Sequence, residues 1–429
     1  MRKIAIVLLV LLIAAPFAVF AEGSRESAAA GAVELRLAWW GNPTRDERTL
    51  KAVDLYLQRN PNVTIEPETT GWGGYWDRIN TQAAAGNLPD IMQHDYAYML
   101  QFVERKLLAD LNPFVNDKTI DLTGVDESYL SGGRVGNGMY GISLGTNAVT
   151  LTYDPAILQK AGVAEPSPNW TWADFERIAL QVYQRTGVQT LPFFTTDPKV
   201  GFDNWIRQTG ASFFTPDGNS LGFTDPRPLV EFFEIQLRLK KAGALVNPET
   251  AFVNVSPQEG DFAKGTSWVQ YLWSNQVVAE QAAAGRPVKT TLLPRIANAS
   301  RPGTYLKPSM FFSITASSEN QRESAKFVNF FLTDLEVNDI LLAERGVPII
   351  PKVRDSLKAK VDPTSQLVFE FIDLVGNGNA SPIDPPDPAE TGEILKLFRD
   401  TTLSVLLEKM TPQQGAQTIM QQANAILAR

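Results

Sequence analysis

From Val33 onward the chain alternates short apolar stretches with amphipathic ones, and this alternation limits the fold more than any other feature. "VELRLAWW" has the pattern of a strand. "TRDERTLKAVDLYLQRNP" comes next with helical spacing: Thr44 and Glu47 stand at capping-box distance, and Leu50, Val53 and Leu57 fall on one face. "VTIEPET", "YWDRINTQAAAG" and "PDIMQHD" continue as strand, helix and strand. Such a succession predicts an α/β domain built on a largely parallel sheet.

The pattern restarts after "GGRVGNGMYGISLGTNAVTLTYD", a glycine-rich passage that reads as a hinge. Beyond it, "TWADFERIALQVYQR" sets Trp172, Phe175, Ile178 and Val182 on one side, with Thr171 and Asp174 spaced for capping. "SENQRESAKFVNFFL" carries Ser318 and Gln321 in the same arrangement, and "SPIDPPDPAE" reads as a rigid surface loop. A chain of 429 residues exceeds what one core can hold, so at least two domains are expected.

Composition removes several function classes. With 39 basic residues against 47 acidic ones the net charge is −8, and no dense basic run is present. That argues against a nucleic-acid or anionic-membrane partner. "MRKIAIVLLVLLIAAPFAVFAEGS" joins Arg2 and Lys3 to an apolar stretch and a small-residue site, so residues 1–21 read as a signal peptide cleaved after Ala21. The apolar run is short for a membrane span and is interrupted by Pro16. Residues 22–32 read as a flexible leader. The absence of cysteine excludes disulfides, thiolate metal sites and a lipid-bearing cysteine at the cleavage site. The mature protein is therefore expected free in the periplasm.

One catalytic pattern is present as text: "GISLG", Gly141 to Gly145, matches the G-x-S-x-G elbow. Its serine needs a histidine to take the proton, yet the single histidine, His94, precedes Ser143, and "AVTLTYD" continues as strand. The passage reads instead as a glycine-flanked strand entering a hinge. His94 has no second histidine or spaced cluster to make a metal site, and no nucleotide-type glycine motif comes after the first strand. Neither metal nor cofactor is expected. Glycosidase chemistry needs only two carboxylates, so a secreted glycosidase or lyase stays open as a second reading.

What remains is aromatic. All nine tryptophans lie between Trp39 and Trp273, several beside glycine or at strand ends, as in "TTGWGGYWD", "DNWIRQTGASFF" and "SWVQYLWSNQ". Aromatic faces stack on the apolar faces of pyranose rings while polar side chains bond the hydroxyls. Trp39 and Trp40 point to opposite faces of their strand. One is expected in the core with Leu35 and Leu37; the other, assigned as Trp40, is expected to wall a sugar site.

Seven further motifs succeed one another: "AAGNLPDIMQHD", "LLADLNPFV", "GMYGISLGTNAVTLTYDPAILQKAGV", "NWTWADFERIA", "GDFAKGTSWVQYLWSNQ", "SITASSENQRESAKFVNFFLTD" and "ERGVPIIP". In order and spacing the chain resembles the extracellular solute-binding proteins of ATP-driven sugar importers, the maltose-binding type, over nearly the whole mature length. The resemblance implies an α/β, two-lobed periplasmic-binding-protein fold (type II), each lobe a central sheet flanked by helices, the lobes joined by hinge strands. Residues 33–145 and 309–348 would form the N-lobe, and residues 146–308 and 349–429 the C-lobe. It further implies a monomeric binder without catalytic activity, holding an oligosaccharide between its lobes and handing it to the membrane permease of an ABC importer.

The same resemblance assigns site residues. The loop after the first strand would bring Trp40, Asn42 and Arg45 to the cleft, and "TGWGGYW" would bring Trp72 and Tyr75. Asp95, with Tyr96 behind it, takes the place of the family's sugar-binding aspartate. Tyr271 stands where maltose binders stack a tryptophan ahead of "WSN", which makes a smaller platform. Asn147, Trp273 and Arg345, carried in the same motifs, and Trp205 of "DNWIRQTGASFF" complete the set. The "WGN…R" start looks like relatives that bind plant-derived oligosaccharides, including acidic ones, for which Arg45 would supply a fixed cation.

Overall fold

The structure, a computed structural model, describes residues 32–41, 43–195, 197–253 and 256–429. The expected signal peptide, the leader up to residue 31 and Asn42 lie outside the described residues.

Strands β1 (Val33–Trp40), β2 (Val63–Thr70) and β3 (Ile91–His94) come first, then the short pair β4 (Arg134–Val135) and β5 (Gly138–Met139). After them come β6 (Ile142–Asn147), β7 (Val149–Tyr153), β8 (Val269–Trp273), β9 (Lys289–Thr291) and β10 (Lys307–Ile314). One sheet has the order β2-β1-β3-β10-β6 and another the order β8-β7-β9. β1 runs parallel to β2 and β3, whereas β10 is antiparallel to β3 and β6, and β7 is antiparallel to β8 and β9. The expected largely parallel sheet is thus corrected to a mixed one. β6 carries the chain out of the first sheet and β10 brings it back antiparallel to it, with the second sheet and its helices between them in sequence.

Each sheet has its own core. Leu37, Trp39, Ile91 and Phe312 pack in the first, and Trp172, Phe193, Phe232 and Trp268 in the second. The Trp172–Thr186 helix has the expected capping box of Thr171 and Asp174, buries the expected face and ends on Gly187 in the left-handed region. The Pro43–Arg59 helix differs: it buries Thr49, Ala52, Val53 and Tyr56, and leaves Leu50 38% exposed. Tyr56 turns the face by packing edge-on to Phe327 at 5.1 Å and donating its hydroxyl to Glu323 at 2.6 Å. Ser318 does not cap the Gln321–Thr333 helix either; its hydroxyl donates to Asp90 at 2.5 Å.

The helices Pro351–Lys358 and Pro363–Gly376, expected in the C-lobe, turn Val353, Leu357, Phe371 and Ile372 into the first core. Arg354 fastens them there, donating to the carbonyls of Pro348 and Ile349 and pairing with Asp373 at 2.9 Å. The packing passes to the second core beyond Gly376, with Ile394 and Phe398, and not at residue 348.

A single residue, Ala148, separates β6 from β7. Its N–H donates to Ser274 Oγ at 3.2 Å and its carbonyl accepts from the Ser274 N–H at 2.9 Å, so the crossing between the sheets is held on both sides. Just before it, Ser143 is buried and donates its hydroxyl to the Gly145 carbonyl at 2.8 Å, which is a strand serine and no nucleophile. Gly145 is required by close approach: a Cβ there would lie 2.3 Å from the Arg345 carbonyl oxygen. Because backbone cannot swing aside as a side chain can, Gly145→Ala is expected to cost about 1–3 kcal/mol. Denaturant unfolding measures it, and an unchanged midpoint would contradict the close contact.

Candidate functional site

The parallel strands β1, β2 and β3 all finish at one edge of the first sheet, at Trp40, Thr70 and His94. Open α/β sheets bind ligands beyond that edge. Immediately past β3, Asp95 caps the Tyr96–Glu104 helix by accepting from the Ala97 N–H at 2.9 Å. Tyr96 reaches across and donates its hydroxyl to the Asp384 carbonyl. Burial pushes the Tyr96 phenol up, so it stays a donor.

The facing wall comes from the Pro198–Gln208 helix, capped by Asp197 and buried along its length. Lys199, Asp203 and Arg207, four residues apart, share the face toward the first lobe, while Phe202, Trp205 and Ile206 enter the second core. Lys199 Nζ lies 2.9 Å from Asp387 and 4.9 Å above the Phe213 ring. Arg207 pairs with Asp384, donates to Ser381 Oγ at 2.6 Å and to the carbonyls of Gly303 and Pro382, and lies 4.8 Å over the Tyr305 ring. With Asp95, Tyr96, Trp273 and Lys307, these groups enclose a cleft of about 340 Å³ with walls from both lobes.

Charge in the cleft is finely opposed. Burial works against the Lys199 ammonium, but Asp203 and Asp387 more than offset it and its pKa is raised. Burial pushes the Asp203 carboxyl up to about 6, even though Lys199 and Arg207 pull the other way.

Of the residues expected from sequence, the cleft unites Asp95, Tyr96 and Trp273. Trp40, expected to wall the sugar site, is instead part of the first core and 7% exposed; its ring meets Trp72 edge-on at 5.0 Å and Tyr75 at 5.1 Å, Trp72, 49% exposed, is the open member of that cluster, and neither indole lines the cleft. The other assignments need correction. Tyr75 is wholly buried and donates its hydroxyl to the Gln93 carbonyl at 2.6 Å. Trp205 stacks on Trp172 at 4.8 Å inside the second core, and Tyr271 packs against Phe193 and Phe194 there. Arg345 is buried over the Phe331 ring at 5.4 Å, bonded to Gln93 at 3.0 Å and Thr49 at 2.8 Å, and burial lowers its pKa to about 9. Arg45 is paired with Glu344 at 2.9 Å rather than facing the cleft. Asn147 belongs to the crossing, 3.5 Å from Ser274 Oγ. Strand alternation and helix phase turn these side chains inward, which a motif alone does not reveal.

His94 is a core histidine: its ring lies edge-on to Trp76 and Phe102, Nδ1 meets the Asp95 carbonyl at 2.9 Å, and burial lowers its pKa to about 4. Among the described residues no three His, Cys, Asp or Glu are grouped to hold a metal, and no helix is long and apolar enough to cross a membrane.

Lys199, Asp203, Arg207, Asp384 and Asp387 are absent from the sequence-based set. Charges at i, i+4 and i+8 on a helix whose other face is aromatic are a usable signal, as are two aspartates set among the prolines of "SPIDPPDPAE". That segment, expected as a surface loop, lines the cleft because Arg207 and Lys199 draw its carboxylates inward.

A carboxyl whose folded pKa lies above its unfolded value favours the native state when protonated, and that contribution is lost as pH rises through the folded pKa of about 6. Asp203→Asn is therefore expected to raise the thermal midpoint near neutral pH, with the gap to wild type closing toward about pH 4. Melting curves across this range check it; a variant less stable than wild type at neutral pH would refute the burial cost.

Residues 51–366 match the family described as bacterial extracellular solute-binding protein. An extracellular solute-binding protein of family 1 from Alicyclobacillus acidocaldarius is 30% identical, with 94% of this chain and 100% of that chain covered and a TM-score of 0.86. At lower identity the fold is shared with a periplasmic oligogalacturonide binding protein from Yersinia enterocolitica (23% identical, 92% and 99% covered, TM-score 0.77). It is also shared with the cyclic alpha-maltosyl-1,6-maltose binding protein of Arthrobacter globiformis (19% identical, 93% and 100% covered, TM-score 0.70). Curated relatives from Brucella abortus, described as binding proteins, are 26% identical over 147 residues, and the chain spans 34% of their length. Two lobes around a shared cleft, a family match over most of the sequence and a full-length structural relative at 30% identity lead to one conclusion: the chain belongs to the bacterial extracellular solute-binding proteins, which bind their solutes and do not transform them.

Proposed function

We propose that the protein captures a carbohydrate, a short oligosaccharide, between its lobes and delivers it to the membrane permease of an ABC importer. The observation that carries this is the make-up of the cleft. Tyr96, Phe213, Phe214 and Trp273 bring aromatic rings to it, beside carboxylates and cations suited to hydroxyl groups. A volume of about 340 Å³ lies within the usual range for small-ligand sites, about 300–1,000 Å³. Trp72, half exposed at the same edge of the first sheet, offers a further ring face. A sugar touching both walls favours the closed arrangement, since only there do both walls reach it. Export through residues 1–21 would place the monomeric protein in the periplasm, and without cysteine it would carry no lipid there.

An affinity near micromolar, about −8 kcal/mol, suits capture followed by release. Oligosaccharide is expected to raise the melting temperature with no new reducing ends and no unsaturated products. Sugar turnover would favour the glycosidase or lyase reading, and stabilisation by peptides with none by any saccharide would refute the carbohydrate. Trp273→Ala is expected to weaken sugar binding by about tenfold or more while leaving the ligand-free midpoint nearly unchanged, as calorimetric titration and melting would read.

A further inference from the structure

Five carboxylates line the cleft, and four of them are occupied. Asp95 accepts from the Ala97 N–H, Asp197 from the Val200 N–H, Asp384 pairs with Arg207 and Asp387 with Lys199. Asp203 is the exception: it is 7% exposed, lines the cavity, and among the described residues no hydrogen bond reaches its carboxylate. Its oxygens face the cavity with no protein donor among those residues, so they stand ready for a donor that enters it. Lys199 and Arg207 act on Asp203 through charge alone, since their hydrogen bonds go to Asp387, Ser381 and the carbonyls of Gly303 and Pro382. Across the cavity, the "SPIDPPDP" wall adds to the same bias. Pro382, Pro385, Pro386 and Pro388 have no N–H, so this wall offers mainly acceptors.

We propose that Asp203 determines the specificity of this site by accepting hydroxyl hydrogen bonds from an uncharged sugar, and that the cleft excludes carboxylate-bearing, uronic sugars. The inference rests on the carbohydrate reading above. A uronate would bring a further negative charge into a lining with five carboxylates against the three cations Lys199, Arg207 and Lys307, two of which are already paired. A neutral sugar instead supplies the donors that Asp203 lacks. Retaining an acid where burial disfavours its charge costs stability, and a ligand contact gives that cost a use.

The test is calorimetric titration of wild type and Asp203→Asn with neutral gluco- and galacto-configured trisaccharides and with trigalacturonate. Wild type should bind a neutral trisaccharide at least about tenfold more tightly than trigalacturonate, and Asp203→Asn should lose at least about tenfold on the neutral sugar. The ionised form is the better acceptor, so wild-type affinity should fall as pH drops through about 6, and the variant should not follow. The charged and titratable groups facing Asp203, namely Lys199, Arg207, Arg301, Tyr305, Asp384 and Asp387, remain in both proteins, so the difference isolates this carboxyl. Trigalacturonate binding as tightly as the neutral sugars, or a variant that binds the neutral sugar unchanged, would overturn the proposal. If neither kind of saccharide binds and another solute raises the melting temperature, the carbohydrate reading itself falls, a result distinct from either of those.

Discussion

Ala148 has its N–H and its carbonyl both bonded to Ser274, and it is the only residue between a strand of one sheet and a strand of the other. A link this short leaves the sheets little choice of distance. They must lie side by side, with the strand ends of the first facing the Pro198–Gln208 helix of the second lobe. Gly145 tightens the same region by letting the Arg345 backbone approach within a distance that any side chain would forbid. Everything in the cleft is placed by that junction: Asp95 and Tyr96 from one side, Lys199, Asp203 and Arg207 from the other, and Trp273 from the strand that pairs with β7.

The second organising device is electrostatic. Three charged side chains on one helix would be expensive to bury alone. The proline-stiffened segment after Ala380 answers two of them with Asp384 and Asp387, and its Pro382 carbonyl accepts a further bond from Arg207. Arg207 in turn lies over Tyr305, fixing that ring as part of the wall. The helix and the segment therefore stabilise each other, and the third charge, Asp203, is left facing the cavity between Lys199 and Arg207.

Much of this is legible in the sequence, and the failures have specific causes. The strand-to-strand crossing shows as a glycine-rich passage, and the Thr171–Asp174 capping box shows as spacing, because both depend on neighbours along the chain. Asp95 and Tyr96 are legible because the end of β3 fixes the position of the two residues directly after it. Tyr75, Trp205, Tyr271 and Arg345 are misplaced by sequence because their facing is set by packing partners far away along the chain, such as Trp172 for Trp205 and Gln93 for Arg345. The charged face of the Pro198–Gln208 helix is hidden for a related reason: buried charge is recognisable only beside its counter-charge, and Asp384 lies 177 positions beyond Arg207.

The distribution of indoles has an optical consequence. Of the nine tryptophans, Trp72 and Trp273 meet solvent most, while the other seven are at least nine-tenths buried. The emission of the enclosed seven reports the state of the cores, whereas water-sensitive emission at longer wavelength comes from one indole on the wall of the cleft, Trp273, and one after the end of β2, Trp72. Trp273 thus makes a built-in fluorophore whose colour follows the hydration of the cleft between the lobes.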